Sequence, residues 1–259
     1  MYEILHQVFQ DQKTELIFRF FGVWHWLYIL VIFGTIAAVI VFCRKKDIKV
    51  KQRAAEIAIA VALGLYILDF FLMPFAYGNI SIDKLPFHMC TATCILCFLS
   101  RRIGFLGKFR TSLALLGLAS NMIYIFYPGV IGWLHIHPLS YRAVQTLLFH
   151  GSMTAYGIFV LTFETPKLPW KHCWKEVVPL VCLVVWALLG NNLYNGTVGE
   201  YNYFFNWMFV QQDPFNLLPL PIALYVMPFV IILTYFVANL LIYSAYHIIK
   251  KTTARTGKP

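Results

Sequence analysis

Seven long apolar stretches separated by short polar linkers make up the chain: Phe18–Cys43, Ala54–Ala76, Pro86–Ser100, Thr111–Leu134, Arg142–Phe163, Val177–Tyr194 and Pro219–His247. A helix needs about 20 mainly apolar residues to cross the hydrocarbon core of a bilayer. The pattern therefore predicts an all-α, polytopic membrane protein, a single transmembrane domain over residues 1–259 with seven transmembrane helices. Pro86–Ser100 is the shortest stretch, which places it among other helices. No convincing repeat, low-complexity run or soluble domain interrupts the pattern, and inverted repeats of the transporter kind are not evident.

The linkers alternate in charge. Lys and Arg crowd into Arg44–Arg53, Arg101–Arg110, Pro166–Lys175 and the tail after His247, leaving Lys13, Arg19, Lys84 and Arg142 for the other linkers. Basic loops stay cytoplasmic, so the N-terminus is expected outside and the C-terminus in the cytoplasm of a multi-pass protein of the cell membrane. Every second linker is basic, as seven spans require. The outer linkers are then Tyr77–Leu85, Tyr127–Tyr141 and residues 195–218. The last is rich in Tyr, Trp and Phe and is expected to lie along the outer interface as a lid. It begins with a glycosylation sequon, Asn195-Gly196-Thr197. Ahead of the first span, Ile4, Leu5, Val8 and Phe9 fit a short amphipathic turn on the membrane surface. The start has no basic n-region and does not read as a cleaved signal peptide.

Composition supports the topology. With 60% hydrophobic and 12% charged residues and a mean hydropathy of +0.69, the chain has too little polar surface to cover a water-soluble globule. The formal charge of +10 is dispersed between apolar runs, so it reports orientation, and no nucleic-acid partner is expected. Cys43, Cys90, Cys94, Cys97, Cys173 and Cys182 sit in or beside apolar segments, which argues against a secreted disulfide framework.

An ionisable group in the hydrocarbon region costs roughly 2.5–3.5 kcal/mol on insertion scales, which makes each a functional candidate. His25, Asp69, His88, Cys90, Gln145, His150, Asn191 and Asn192 all fall in the outer half of their spans. A proton or ion path needs such groups through the full thickness, whereas chemistry on the lipids of one leaflet needs a pocket only there. The stretch LPFHMCTATCILC, Leu85–Cys97, concentrates them. Cys90, Cys94 and Cys97 share one helix face; Cys94 and Cys97 read as small packing residues, and the spacing matches no zinc pattern, so no metal or cofactor is expected. His88 and Cys90 diverge on a regular helix, so a base for the Cys90 thiol must come from another helix, and His150 lies at matching depth. A hydrogen bond between helices is the competing role for His150. Asp69 would orient a histidine or pair with Arg142. Arg19 and Arg142 at the outer rim suit phosphate clamps or ordinary snorkelling. His25, between Trp24 and Trp26, suits an interfacial anchor or a pocket residue.

Several stretches together resemble the YwaF family of bacterial integral membrane proteins: FFGVWHW, LPFHMC, YRAVQTLLFHG with Arg142, Gln145 and His150, YNYFF from Tyr201, and DPFNLLP. That family is distantly similar to animal polytopic acyltransferases that move fatty acyl chains between phospholipids, and more remotely to the androgen-induced lipid hydrolases. The resemblance implies a Cys or Thr nucleophile and a His on separate helices, here the His88/Cys90 region and His150. In the animal motif the cysteine directly follows proline and precedes histidine. Here Phe87 holds that position, and Cys90 stands three residues on.

The combined expectation is an acyltransferase or lipid hydrolase acting on phospholipid or lipoprotein acyl chains from the outer leaflet. Cys90, His150 and His88 are its catalytic candidates, and Arg142, Gln145, Asp69, Asn192, Arg19 and His25 its substrate-binding candidates. Membrane phospholipids, with a lysolipid or lipoprotein acceptor, are the expected partners. The competing class is a transporter or flippase coupling protons through Asp69, His25 and His150, with Asn121 and Asn239 extending its path. A non-catalytic lipid binder would use the same pocket.

Overall fold

The computed structural model describes residues 16–77, 84–133, 136–165, 167–174, 176–194 and 220–255. The amphipathic turn expected over Ile4–Phe9 and the interfacial loop expected over 195–218 lie outside the described residues. Seven principal helices are described: α1 (Val23–Cys43), α2 (Ile48–Tyr77), α3 (Met89–Leu99), α4 (Arg110–Phe126), α5 (Tyr141–Phe159), α6 (Val177–Tyr194) and α7 (Leu220–Arg255). No strand occurs among the described residues. Short helical pieces fill Gly104–Gly107, Gly129–Trp133 and Trp170–His172, and a π turn, Val160–Glu164, continues α5.

Five segments are long and apolar enough to cross a membrane: Val23–Cys43, Ile48–Leu72, Tyr141–Glu164, Trp170–Gly190 and Pro228–Thr252. At 1.5 Å per residue the 11 residues of α3 reach only about 17 Å, little more than half the hydrocarbon thickness. Thus α3 and α4 are apolar but short.

The helix boundaries differ from the apolar stretches for local reasons. The first helix starts at Val23 rather than Phe18 because the chain turns ahead of it. Phe21 takes φ 55, the left-handed region that side-chain-bearing residues rarely adopt, and Gly22 follows as N-cap. Phe18, wholly buried against Ile131, Ile136 and Leu147, anchors this lead-in through its N–H to the Ile136 carbonyl, 2.9 Å. The third helix starts at Met89 rather than Pro86, with His88 as its N-cap. The Pro86 carbonyl accepts from Trp186 Nε1 of α6 at 2.8 Å, and Phe87 stacks on the Trp186 ring at 4.9 Å. The fourth breaks after Phe126 at Tyr127-Pro128. The second and seventh extend beyond their apolar stretches, into the basic flanks around Lys49–Arg53 and Lys250–Arg255.

The inner helices are α3, α4 and α5. The largest helix contacts are those of α5 with α2 and α4, while α3 touches α2, α4 and α6, and α7 lies on α4 and α6. Lipid is as apolar as a leucine side chain, so helices in it associate through close packing and hydrogen bonds more than through a hydrophobic drive. The α4–α5 contact shows how. A Cβ on Gly157 would lie 2.6 Å from the Leu118 Cβ and 3.0 Å from the Ala114 carbonyl oxygen, so only glycine lets the two backbones come this close. One buried ion cluster closes the bundle at the end away from His150. Glu164, at the end of the π turn, pairs with Arg101 and with Arg110, the latter at 3.1 Å, and Arg101 lies over the Tyr156 ring at 5.3 Å.

Gly157→Ala should therefore lower the unfolding transition of the detergent-solubilised protein, by an overpacking cost of about 1–3 kcal/mol. Gly64→Ala, where an added Cβ meets nothing within 4 Å, should leave it unchanged or raise it. A thermal melt of both variants beside the parent checks the contrast.

Candidate functional site at the His150 end

His150 sits halfway along α5 and is buried, 4% exposed. Its neighbours come from α4: the Tyr124 ring stacks on the imidazole at 3.8 Å between centroids and 15°, and Asn121 Oδ1 lies 2.6 Å from Nδ1. Asn121 and Tyr124 are three apart and so share a helix face. The Asn121 amide is oriented by its other end. Its Nδ2 donates to the Gly117 carbonyl at 2.6 Å and to Ser120 Oγ at 3.1 Å, and Ser120 Oγ in turn donates to the Gly117 carbonyl at 3.0 Å. With Nδ2 thus engaged, Oδ1 is the atom turned to His150, and a carbonyl oxygen can only accept. Nδ1 therefore carries the proton, and Nε2 keeps its lone pair. Among the described residues Nε2 makes no hydrogen bond. The arrangement fixes one tautomer of a buried histidine: Nδ1 donates to a fixed acceptor, and Nε2 carries the lone pair.

Cys90, at the start of α3, is half-buried and packs against the core cluster that includes Phe149, the neighbour of His150 in sequence, and side chains of α1 to α4. Cys90 stands in the first turn of α3, where backbone N–H groups have no partner within the helix. Phe87 points elsewhere: it is buried against Trp186, and the absence of a side chain at Gly190 makes its room, since a Cβ there would lie 2.4 Å from its ring. Cys94 and Cys97 are wholly buried, and the Cys97 thiol lies 3.4 Å from the Leu113 carbonyl.

The remaining candidates separate. Asp69 is buried and pairs with Lys84, Nζ to Oδ2 2.7 Å, rather than with Arg142. Arg142 is half-buried in the first turn of α5. Gln145 is buried and ties α5 to α2, its Nε2 donating to the Leu65 carbonyl at 3.3 Å. His25 is wholly buried instead of sitting at an interface. Its Nδ1 accepts from the Phe21 N–H at 2.9 Å, its Nε2 donates to the Ile125 carbonyl at 2.8 Å, and no ring nitrogen remains for a ligand. Arg19 is exposed in the turn before α1. Asn192 belongs to α6, but its side chain lies outside the described residues. Among the described residues no group of three or more His, Cys, Asp or Glu converges as a metal site would require.

Asn121, Tyr124 and Lys84 were not singled out for this site from the chain. A lone Asn in the apolar run of α4 was the available signal for Asn121, since an amide there needs a partner. Nothing distinguished Tyr124 or Lys84.

Helical architecture and apolar segments define a polytopic membrane protein with a buried histidine site near one end of its bundle. The chain belongs to the TMEM164 family, whose model matches residues 20–246. No curated protein and no solved structure matches it.

Asn121→Leu should free the His150 tautomer. In protein carrying nitrogen-labelled histidine, the parent should show the Nδ1–H form of His150, and the variant a shift toward Nε2–H, with a stability loss of about 1–3 kcal/mol for the unpaired buried donor. An unchanged tautomer in a folded variant would refute the assignment.

Proposed function

We propose that the protein is a membrane-embedded acyltransferase or lipid hydrolase that uses His150 as general base and Cys90 as nucleophile on the acyl esters of phospholipids. The observation that carries this reading is the Asn121–His150 hydrogen bond, 2.6 Å, which leaves Nε2 as the basic nitrogen, with Cys90 packed against the core cluster that includes Phe149, the neighbour of His150 in sequence. The likeness of LPFHMC and the downstream Gln145-to-His150 run to the YwaF family, and through it to Cys/His acyltransferases, supports the same assignment. Phe87 is given over to packing against α6, which supports moving the nucleophile from the position after proline to Cys90.

In the proposed chemistry the Cys90 sulfur attacks the ester carbonyl carbon while His150 Nε2 takes the thiol proton. The tetrahedral intermediate collapses with loss of the lysolipid oxygen, which takes that proton from the imidazolium. A thioester on Cys90 remains. An acceptor hydroxyl, amine or water then gives its proton to Nε2 and attacks the thioester, and the departing thiolate recovers the proton. First-turn N–H groups of α3 or His88 stabilise the oxyanion. Water as acceptor makes the protein a hydrolase; a lysolipid or lipoprotein amine makes it a transferase. If Cys90 is inert, His150 activates the acceptor directly, with His88 as second histidine.

The same reading sets the protein in the membrane with seven spans. The short α3 and α4 are enclosed by longer helices, the His150 end lies at the outer face, and the basic end around Arg101 and Arg110 lies in the cytoplasm, in keeping with the placement of Lys and Arg. The likeness to bacterial proteins favours the cell membrane. A proton-coupled transporter needs polar groups through the full thickness. The buried side chains between the two ends include Cys94, Cys97, Leu113, Ala114 and Met153 beside the hydroxyls of Thr93 and Thr154, with no carboxylate or imidazole among these residues, which favours a one-sided site.

Purified protein incubated with phospholipid labelled in its acyl chain should acquire one acyl mass, lost in Cys90→Ala. His150→Ala should slow turnover by about 10²–10⁴-fold, the usual contribution of a general base. Full turnover in Cys90→Ala would eliminate the thiol route, and full turnover in His150→Ala would eliminate the base.

A further inference from the structure

The last helix turns polar side chains inward. Among its described residues the buried ones are Ile231, Tyr235, Asn239 and Tyr243, each four after the one before, so they stack along one side of α7. Three of these are polar, and His247 continues the series with its Nε2 buried. The opposite side carries Phe229, Leu233, Val237 and Leu241, all exposed, as a side facing lipid would be. From Tyr235 to His247 the polar stripe runs about 18 Å at 1.5 Å per residue.

Packing fixes where the stripe lies. Tyr235 packs with Leu116 and Ala119 of α4, within a turn of Asn121. Tyr243 packs with Leu115 and Leu118 of α4 and with Cys173 ahead of α6. The Trp170 ring lies 5.9 Å from that of Tyr243 and stacks on His247 at 5.1 Å. The Tyr246 hydroxyl donates to the Thr165 carbonyl at 3.2 Å, next to Glu164, which sets the His247 end of the stripe at the Arg101–Glu164 end of the bundle. Beyond Tyr235 the next position on this face is the buried Ile231, so the polar series stops there. Leu118 parts it from α5, whose Gly157 meets the same side chain.

A stripe that served only to hold α7 in place would bond to its neighbours. Here Asn239 Oδ1, Tyr243 Oη and His247 Nε2 are buried without a hydrogen-bond partner, and so is Oε2 of Glu176, a buried residue three after Cys173. Buried polar atoms that the protein itself leaves unpaired are characteristically met by water, which makes two to four hydrogen bonds in such places. An amide oxygen can only accept and a hydroxyl can do both, so the partner must donate, and water is the smallest group that does.

We propose that this face of α7 binds a file of water molecules, entered at the Glu164 end of the bundle and closed at Ile231. The bundle then holds a second, blind polar cleft besides the His150 site, and the cleft stands whatever chemistry His150 performs.

The test uses the full chain in detergent. A brief X-ray pulse makes hydroxyl radicals from water in place, and mass spectrometry reads which side chains are oxidised. In the parent, Tyr235 and Tyr243 should be oxidised although buried, while Met153, wholly buried against Gly117 and intrinsically more reactive, should stay unmodified. In Asn239→Leu, which blocks the file midway, Tyr235 should lose its modification and Tyr243 keep it. Asn239→Ser, which keeps a hydroxyl and leaves room for water, should behave as the parent. Tyr235 and Tyr243 as silent as Met153 in the parent would make the stripe dry and overturn the proposal, whether or not the variants fold. Undiminished oxidation of Tyr235 in folded Asn239→Leu protein would overturn entry from the Glu164 end.

Discussion

The hydrogen bond between Asn121 and His150 is the interaction on which the site depends, and it exists because the surroundings offer no water. In an apolar interior a polar group finds a protein partner or is costly to keep. Asn121 has both ends of its amide committed, Nδ2 to Gly117 and Ser120 and Oδ1 to His150. The direction of every proton in this chain follows from the acceptor at its end, the Gly117 carbonyl. A backbone atom of α4 thereby sets which nitrogen of an α5 histidine is basic.

That bond requires α4 and α5 to lie close, and the closeness comes from residues with nothing to project. Gly157 meets Leu118 and Ala114, and Gly117 faces the Met153 methyl at 3.1 Å from where a Cβ would stand. The site and the helix contact therefore share residues: Gly117 supplies both the carbonyl that orients Asn121 and the space that admits α5. At the far end, Glu164 between Arg101 and Arg110 fixes the same helices against one another. His150 and Glu164 are 14 residues apart on a continuous helical path, about 21 Å at 1.5 Å per residue, so α5 and the π turn after it are held by polar contacts at mid-helix and at the far end and between them by packing.

The sequence revealed the helices well and their contacts poorly, for a physical reason. An apolar run determines that a helix forms and how deep each residue lies along it, which is why His88, Cys90, Asp69 and His150 were recognised as sharing a level. Which face of a helix meets which neighbour depends on packing that the run does not encode. Asp69 was matched with Arg142 and His25 with the interface, whereas Lys84 and the Ile125 carbonyl are their partners. Helix ends escaped for local reasons: the left-handed turn at Phe21, the Pro86 turn clamped by Trp186, and the break at Tyr127-Pro128. Asn121 was visible as a polar residue in an apolar run, but only its bond to His150 gives it a role.

The Pro86–Cys90 turn shows how a departure from a motif can be interpreted physically. Were the motif position to carry the chemistry here, Phe87 would face the His150 region. It stacks on Trp186 instead, in a notch left by Gly190, and the turn commits the chain to start α3 with His88 as N-cap. Starting there, rather than at Pro86, puts Cys90 at the second helical position, where backbone N–H groups are unpaired within the helix. The same turn that commits Phe87 to α6 thus brings a thiol to the positive end of a helix.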